Sequence, residues 1–283
     1  MQNQKSVGIF GAGSIAEATL DGILSQAIMP PEDIYVTNKQ NDDKLQLLRE
    51  RYKVNTTRDY KEILSKCRYL IIAVKPVDVY ELLISLQKFV TTNHIIITLA
   101  AGISTKFIET VLDKKVQVIR AMPNTACKVR ESATAITLGS YATKEAQDFA
   151  EEIFSSIGKV SVVEETMMDA VTGLSGSGPA YVYLLMEAMV EAGVKVGLPR
   201  RLSEELTVQT VYGAAKMVIE TGESPKKLRK QVTTPGGTTM AGIKVLEKAD
   251  FTDLLIKAVE NAAGRSKEMM KEHSCLHKLQ NVL

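Results

Sequence analysis

One stretch of the chain combines residue types that could hold an anion against bare backbone. Gln231-Val232-Thr233-Thr234-Pro235-Gly236-Gly237-Thr238-Thr239-Met240 sets a proline and two glycines directly before a helical pattern running to Glu247. Pro235 fixes one torsion and the glycines admit conformations barred to other residues, so the chain turns and the new helix starts with its first N–H groups facing outward. The hydroxyls of Thr238 and Thr239 stand beside those groups, with the positive end of the helix behind them. Such an arrangement suits a carboxylate or a phosphate. The same residues equally serve a plain helix start after a tight turn, and only the rest of the chain can separate the two readings.

A second glycine turn lies near the N-terminus. Val7 to Phe10 reads as a buried strand, Gly11-Ala12-Gly13-Ser14-Ile15-Ala16 follows at once, and a helical pattern runs on through Leu24 to a second strand at Asp33 to Thr37. With 18 glycines in 283 residues, a G-x-G triplet arises by chance roughly once, so the motif alone is weak. Its place inside a strand–turn–helix–strand unit is what points to a dinucleotide, because there the glycines let backbone approach a pyrophosphate. After the second strand stand Thr37-Asn38-Lys39, where an NAD site usually carries an acid for the ribose 2′-OH. A cation with small polar neighbours favours NADPH over NADH, although Lys39 could also be a solvated surface residue.

Strand and helix patterns continue to alternate. Strands are predicted at Tyr69 to Val74, His94 to Leu99, Val116 to Ala121, Ala133 to Leu138 and Lys159 to Val163, with helices after Pro76, from Ser104, and over Lys144 to Ser156. This is the pattern of a mostly parallel sheet with helices on both faces. Ligands of such sheets sit beyond the carboxyl ends of the strands. Those ends are here Ala73-Val74-Lys75-Pro76, Ala100-Ala101-Gly102 and Ala121-Met122-Pro123-Asn124-Thr125. From Thr166 onward only helical patterns appear, so the chain divides into an α/β segment over 1–164 and an all-α segment over 165–283.

In the second segment Ala180 to Val196 carries only Glu187, Glu191 and Lys195 as charges, spaced four apart on a helix otherwise apolar nearly all round. Such a helix is buried in a core or in a subunit interface. With the Ala- and Gly-rich helices at Leu202 to Thr221 and Phe251 to Lys271, it predicts an oligomer.

Composition bounds the rest. Hydrophobic residues are 45% and charged residues 24%, a folded soluble balance, and a net charge of +2 does not favour a nucleic-acid partner. Three scattered cysteines, Cys67, Cys127 and Cys275, argue against a disulfide framework and for a reducing cytoplasm. No apolar leader core is visible, and the longest charge-free run, Ala170 to Met186, is too short and too glycine-rich for a bilayer span. His273 and His277 are four apart but lack a further ligand cluster, so no metal is expected. Lys226-Lys227-Leu228-Arg229-Lys230 reads first as a solvated helix face and second as a field drawing in an anionic substrate.

Together these residues resemble the 1-pyrroline-5-carboxylate reductase family along essentially the whole chain. The resemblance is carried by Asp169-Ala170-Val171-Thr172 through Ser175-Gly176-Ser177-Gly178-Pro179-Ala180-Tyr181-Val182 and by Gln231 through Thr239. Arg120-Ala121-Met122-Pro123-Asn124-Thr125 and Ala73-Val74-Lys75-Pro76 also fit. Ser14-Ile15 stands where the family usually has Asn-Met, Ala126 where it often has proline, and Glu131-Ser132-Ala133 where a Gly-Met-Thr type segment is more usual. The resemblance implies an N-terminal Rossmann-type doubly wound sheet and a C-terminal helical dimerisation domain, assembled as a homodimer or a ring of dimers. It implies reduction of a cyclic C=N bond by NADPH, or by NADH.

The site residues expected on this basis fall into two sets. Gly11, Gly13, Ser14, Ile15, Asn38, Lys39, Ala73, Val74, Lys75, Pro76, Ala100, Met122, Pro123 and Asn124 take the cofactor. Ser177, Gly236, Gly237, Thr238 and Thr239 take the substrate, with Thr239 or a water it orders as proton donor. A hydroxyacid dehydrogenase of similar build would carry lysine four residues after the last glycine of the first motif. Val182 stands there, and an apolar side chain cannot move that proton. A protein that binds the nucleotide without turnover is the other alternative, against which the intact anion cradle speaks.

Overall fold

Strands rich in Ile, Val and Leu form wherever the chain offers a short apolar run bounded by turn residues. The computed structural model describes residues 5–280, the side chains of 273–280 excepted. Eight strands make one sheet: β1 (Val7–Phe10), β2 (Ile34–Thr37), β3 (Asn55–Thr56), β4 (Tyr69–Ile72), β5 (Ile95–Thr98), β6 (Gln117–Met122), β7 (Ser132–Leu138) and β8 (Gly158–Val162). Their order is β3-β2-β1-β4-β5-β6-β7-β8, parallel throughout except at β6–β7. The order reverses at β1, whose neighbours are β2 and β4. Ligands of doubly wound sheets bind at this switch point.

Alternate strand residues feed two cores. On one face Val7, Ile9, Ile71 and Ile97 pack with α1 (Ser14–Ser25), α2 (Asp42–Tyr52) and α6 (Lys144–Ser155). On the other face Phe10, Leu70, Ile72 and Ile96 pack with α3 (Tyr60–Lys66), α4 (Pro76–Gln87) and α5 (Thr105–Leu112). A core of this kind pins register, since a one-residue slip would turn each strand's side chains to the wrong face. The seven strands read from the sequence are all present. The two-residue β3 was not foreseen, because Asn55 and Thr56 form no apolar run.

The helical part begins with α7 (Met168–Val171) and a π-helical stretch, Thr172–Gly176, and continues through α8 (Gly178–Lys195), α9 (Arg200–Thr221), α10 (Pro225–Gln231), α11 (Thr238–Lys248) and α12 (Phe251–Gln280). The chain separates into two compact units, Met1–Ser177 with Glu260–Leu283, and Gly178–Val259. Within the second unit α8 and α9 approach closely at Gly193, where a methyl group would overlap the Ser203 hydroxyl, and Ser203 Oγ donates to the Val190 carbonyl at 2.9 Å.

One expectation is narrowed here. The apolar helix α8 contains no buried residue: Val182, Tyr183, Leu184 and Leu185 are all exposed. Across the second unit the buried side chains are Ser203 and Thr207, and none is apolar. Within its own unit α8 therefore has no buried apolar face. Apolar faces of this extent mark surfaces that another molecule covers. No helix among the described residues is long and apolar enough to cross a membrane.

Candidate functional site: a nucleotide cleft and an anion turn

The first glycine turn is built by steric necessity. Gly11 has φ +118°, and a Cβ on it would overlap the Ala73 carbonyl oxygen and sit 2.7 Å from the carbonyl carbon. Its amide donates to Thr37 O at 2.8 Å, while Ala73 N donates to Phe10 O at 2.8 Å, so the ends of β1, β2 and β4 are fastened at one point. Gly13 differs in kind: its φ is −76° and a Cβ there would meet nothing within 4 Å. It is the N-cap of α1, and with no side chain it makes no cap hydrogen bond and leaves the first-turn amides, at Ser14 and Ile15, open to a ligand anion.

Beside this turn lies a cleft of about 180 Å³ lined by Gly11, Thr37, Asn38, Lys39, Val74 and the α4 residues Asp78 and Glu81, among others. It is small for a whole dinucleotide and large enough for one end of it. Thr37 is 2% exposed and its Oγ1 has no partner, an orphan polar atom of the kind a ligand hydroxyl satisfies. The side chain of Asn38 is spent on its own loop: Nδ2 donates to Asn41 O at 2.7 Å and Oδ1 accepts from Asn41 N at 2.8 Å. Lys39 Nζ lies 2.8 Å from Glu81 Oε2 and 3.8 Å from Asp78 Oδ1. The Glu81 hydrogen bond first, and its charge next, hold the Lys39 ammonium above its ordinary pKa. Lys75 caps α4 with Pro76 in the first turn, and its side chain is exposed.

The far side of the sheet tip is held by polar contacts that the sequence motif did not reveal. Ala100 is buried. Met122 ends β6, and its Cε lies 2.9 Å from where a Cβ on Gly176 would stand, so the glycine admits it. Beyond Pro123, Asn124 Nδ2 donates to Ser175 O, its Oδ1 accepts from Ala126 N, and its own N–H donates to Ser132 Oγ, each at 3.0 Å. Two residues thus act together: Ala126 supplies an amide that a proline there would lack, and the buried Ser132 supplies an acceptor.

Arg120, 1% exposed on β6, donates from Nη1 to Glu165 Oε1 at 2.7 Å, with Asp169 Oδ1 at 4.0 Å. Glu165 Oε2 accepts from Thr105 Oγ1 at 2.7 Å and Thr105 N at 3.2 Å. Asp169 in turn accepts from Ser266 Oγ at 2.7 Å. Sequence reasoning named Arg120 only as part of a motif. A lone arginine inside an apolar strand is the signal that it needed a buried acid.

The second stretch lies in the second unit. Gly237 N donates to Thr234 O at 3.0 Å, with Pro235 and Gly236 between them and Gly236 at φ +76°. Pro then Gly with positive φ is the chemistry of a type II turn. The turn delivers Gly237 as the N-cap of α11 without a side-chain cap, so the amides at its first turn have no acceptor within the helix. Thr238 and Thr239 open that helix and are both exposed. Ser177 ends the first unit, its amide donating to Thr172 O at 2.9 Å in the π-helical stretch.

The remaining chemically suggestive residues differ in their surroundings. Cys127 is 2% exposed, and burial raises its thiol above the ordinary range, which disfavours a thiolate nucleophile. In the basic run, Lys227 pairs with Glu223 at 2.6 Å and Arg229 lies 3.9 Å from Glu247, on an exposed helix. His273, Cys275 and His277 lie outside the residues whose side chains are described.

Known proteins resemble this chain in sequence and in fold. Residues 165–269 match the family described as pyrroline-5-carboxylate reductase dimerisation, and residues 6–102 match that described as NADP oxidoreductase, coenzyme F420-dependent. Pyrroline-5-carboxylate reductase 2 of Bacillus subtilis is 40% identical over 268 residues, 95% of this chain and 96% of that one. The Arabidopsis thaliana pyrroline-5-carboxylate reductase is 40% identical over 263 residues, 93% of this chain and 95% of its own. A solved pyrroline-5-carboxylate reductase from Coxiella burnetii superposes with a TM-score of 0.88 at 38% identity, covering 94% of this chain and 99% of that one. The Plasmodium falciparum enzyme with NADP bound gives 0.85 at 28% identity, covering 95% and 100%. Matched along nearly its whole length at such identity, this chain belongs to the pyrroline-5-carboxylate reductase family.

Proposed function

We propose that the protein reduces the C=N bond of 1-pyrroline-5-carboxylate to give L-proline, the last step of proline biosynthesis, with NADPH as the preferred donor and NADH as a second. The observation that carries this reading is the uncapped start of α11 at Gly237, with Thr238 and Thr239 beside it and no titratable side chain in the turn from Thr233 to Met240. A small ring with one carboxylate and one imine needs an anion cradle and a hydride donor, and little acid–base machinery. The residues around the first turn fit a dinucleotide: Gly13 leaves open space before a bare helix start, Thr37 offers an orphan hydroxyl, and Lys39 offers a cation.

When bound, NADPH supplies the hydride that reduces the imine carbon. The chain's own part is positional. The backbone N–H groups of Gly236 and Thr238, on either side of the Gly237 amide that closes the turn, hold the carboxylate, and the Thr238 and Thr239 hydroxyls add hydrogen bonds to it. Ser177 contributes to the substrate side, and Thr239, directly or through a water, donates the proton to the ring nitrogen. The cofactor is held by Gly11, Gly13, Ser14 and Ile15 at its pyrophosphate, by Asn38 and Lys39 at the adenosine end, and by the strand tips at Ala73 to Pro76, Ala100 and Met122 to Asn124. We assign 1–164 to the dinucleotide and 165–283 to substrate binding and dimerisation. The protein works in the cytoplasm as a homodimer or a ring of dimers, the exposed apolar faces of α8 and α9 meeting a second copy.

Thr239→Ala should raise KM for the imine acid and lower kcat, reducing kcat/KM about tenfold or more, as loss of a hydrogen bond to a charged group does. Loss of NADPH absorbance with pyrroline-5-carboxylate present measures it. Unchanged kinetics would remove Thr239 from the mechanism, and no turnover by the wild type with nucleotide binding intact would replace this reading with nucleotide binding alone.

A further inference from the structure

The cleft at the end of β2 holds one cation and two carboxylates, an odd set for a place that receives a dianion. Asp78 and Glu81 are three residues apart on α4 and so share a face. Both reach Lys39, Glu81 with a direct bond of 2.8 Å and Asp78 at 3.8 Å. All three line one cavity with the buried, unpartnered hydroxyl of Thr37. The end of the second strand is where doubly wound sheets read the adenosine ribose. A 2′-phosphate entering there must draw Lys39 away from Glu81. A 2′-hydroxyl is neutral and demands nothing of Lys39; Thr37 Oγ1 can pair with it.

We propose that Glu81 is a specificity-determining positioning residue: by holding Lys39 in a salt bridge across the cleft, it withholds that cation from a 2′-phosphate and narrows the preference for NADPH over NADH. The proposal rests on the reading of this cleft as the adenosine end of the cofactor site. The pair is more than half exposed on both sides, so its strength is that of a surface ion pair and the expected effect is a shift in preference, not a reversal.

Glu81→Gln keeps the size of the side chain and removes its charge. It should raise the ratio of kcat/KM for NADPH to that for NADH about 2- to 5-fold, through KM for NADPH and not through kcat. In a Lys39→Met background the same substitution should have no effect on the ratio. Calorimetric titration with adenosine 2′,5′-bisphosphate and with AMP separates the two levels of the argument. Binding of neither to the wild type overturns the cofactor reading itself. Equal bisphosphate affinity for the wild type and Glu81→Gln leaves that reading standing and overturns the role of Glu81. A gain that persists without Lys39 also overturns it, since Glu81 would then act by repelling the phosphate directly.

Discussion

Gly11→Ala should lower stability by about 3 kcal/mol, the sum of a strained positive φ and an overlap with backbone that cannot step aside. The Ala73 carbonyl stands at the tip of β4, where Ala73 N donates to Phe10 O while Gly11 N donates to Thr37 O, so relief would have to part the tips of β1, β2 and β4. For a chain of this size about 3 kcal/mol corresponds to a fall in Tm of roughly 6–12 °C. Nucleotide affinity should fall with it. Gly13→Ala is the informative partner: open space surrounds that position and its φ is ordinary, so the stability cost should be about 1 kcal/mol or less, from the poorer N-cap. Its loss should instead appear in the Kd for NADPH. Thermal melts and nucleotide titrations of the two variants check this. Equal melting temperatures for Gly11→Ala and the wild type would refute the steric account.

Glu165→Ala should cost about 3–5 kcal/mol, because it strands Arg120 as a buried charge. Arg120 is 1% exposed, and Asp169 at 4.0 Å is too far to replace a bond of 2.7 Å. Thr105 loses its acceptor in the same step. Removing both charges, as Arg120→Met with Glu165→Ala, should recover a good part of the loss, since no buried charge is then stranded and only the lost Thr105 hydrogen bonds remain. Denaturant unfolding of the single and double variants gives the comparison. A double variant as unstable as the sum of its parts would show that the ion pair is not the reason.

These two positions also mark how far the sequence could be read. Gly11 was legible because its requirement is local: a strand, a turn and a helix in one run of residues announce where backbone must bend. The strands of the two-sided core were legible for the same reason, as short apolar runs. The Arg120–Glu165 pair was not, because its members are 45 residues apart and no periodicity links them. Lys39 was assigned a phosphate from its place after β2, yet its present partner, Glu81, is 42 residues away and reaches it only because β4 lies next to β1 and carries α4 to the same edge. Asn38 shows a third limit. Its polar side chain reads as available, but with the Asn41 amide and carbonyl three residues on, it satisfies itself first through two hydrogen bonds. The turn at Gly236 was legible as a turn from Pro and Gly alone, because its chemistry is local.

The second unit, Gly178–Val259, buries no apolar side chain of its own. A segment with so little interior draws stability from what covers it, and where a second copy does so, mass action enters the melting curve. Dilution becomes a denaturant. Heating at low protein should melt this unit earlier than heating at high protein, while the two-sided sheet, whose cores are complete within one chain, keeps its own transition.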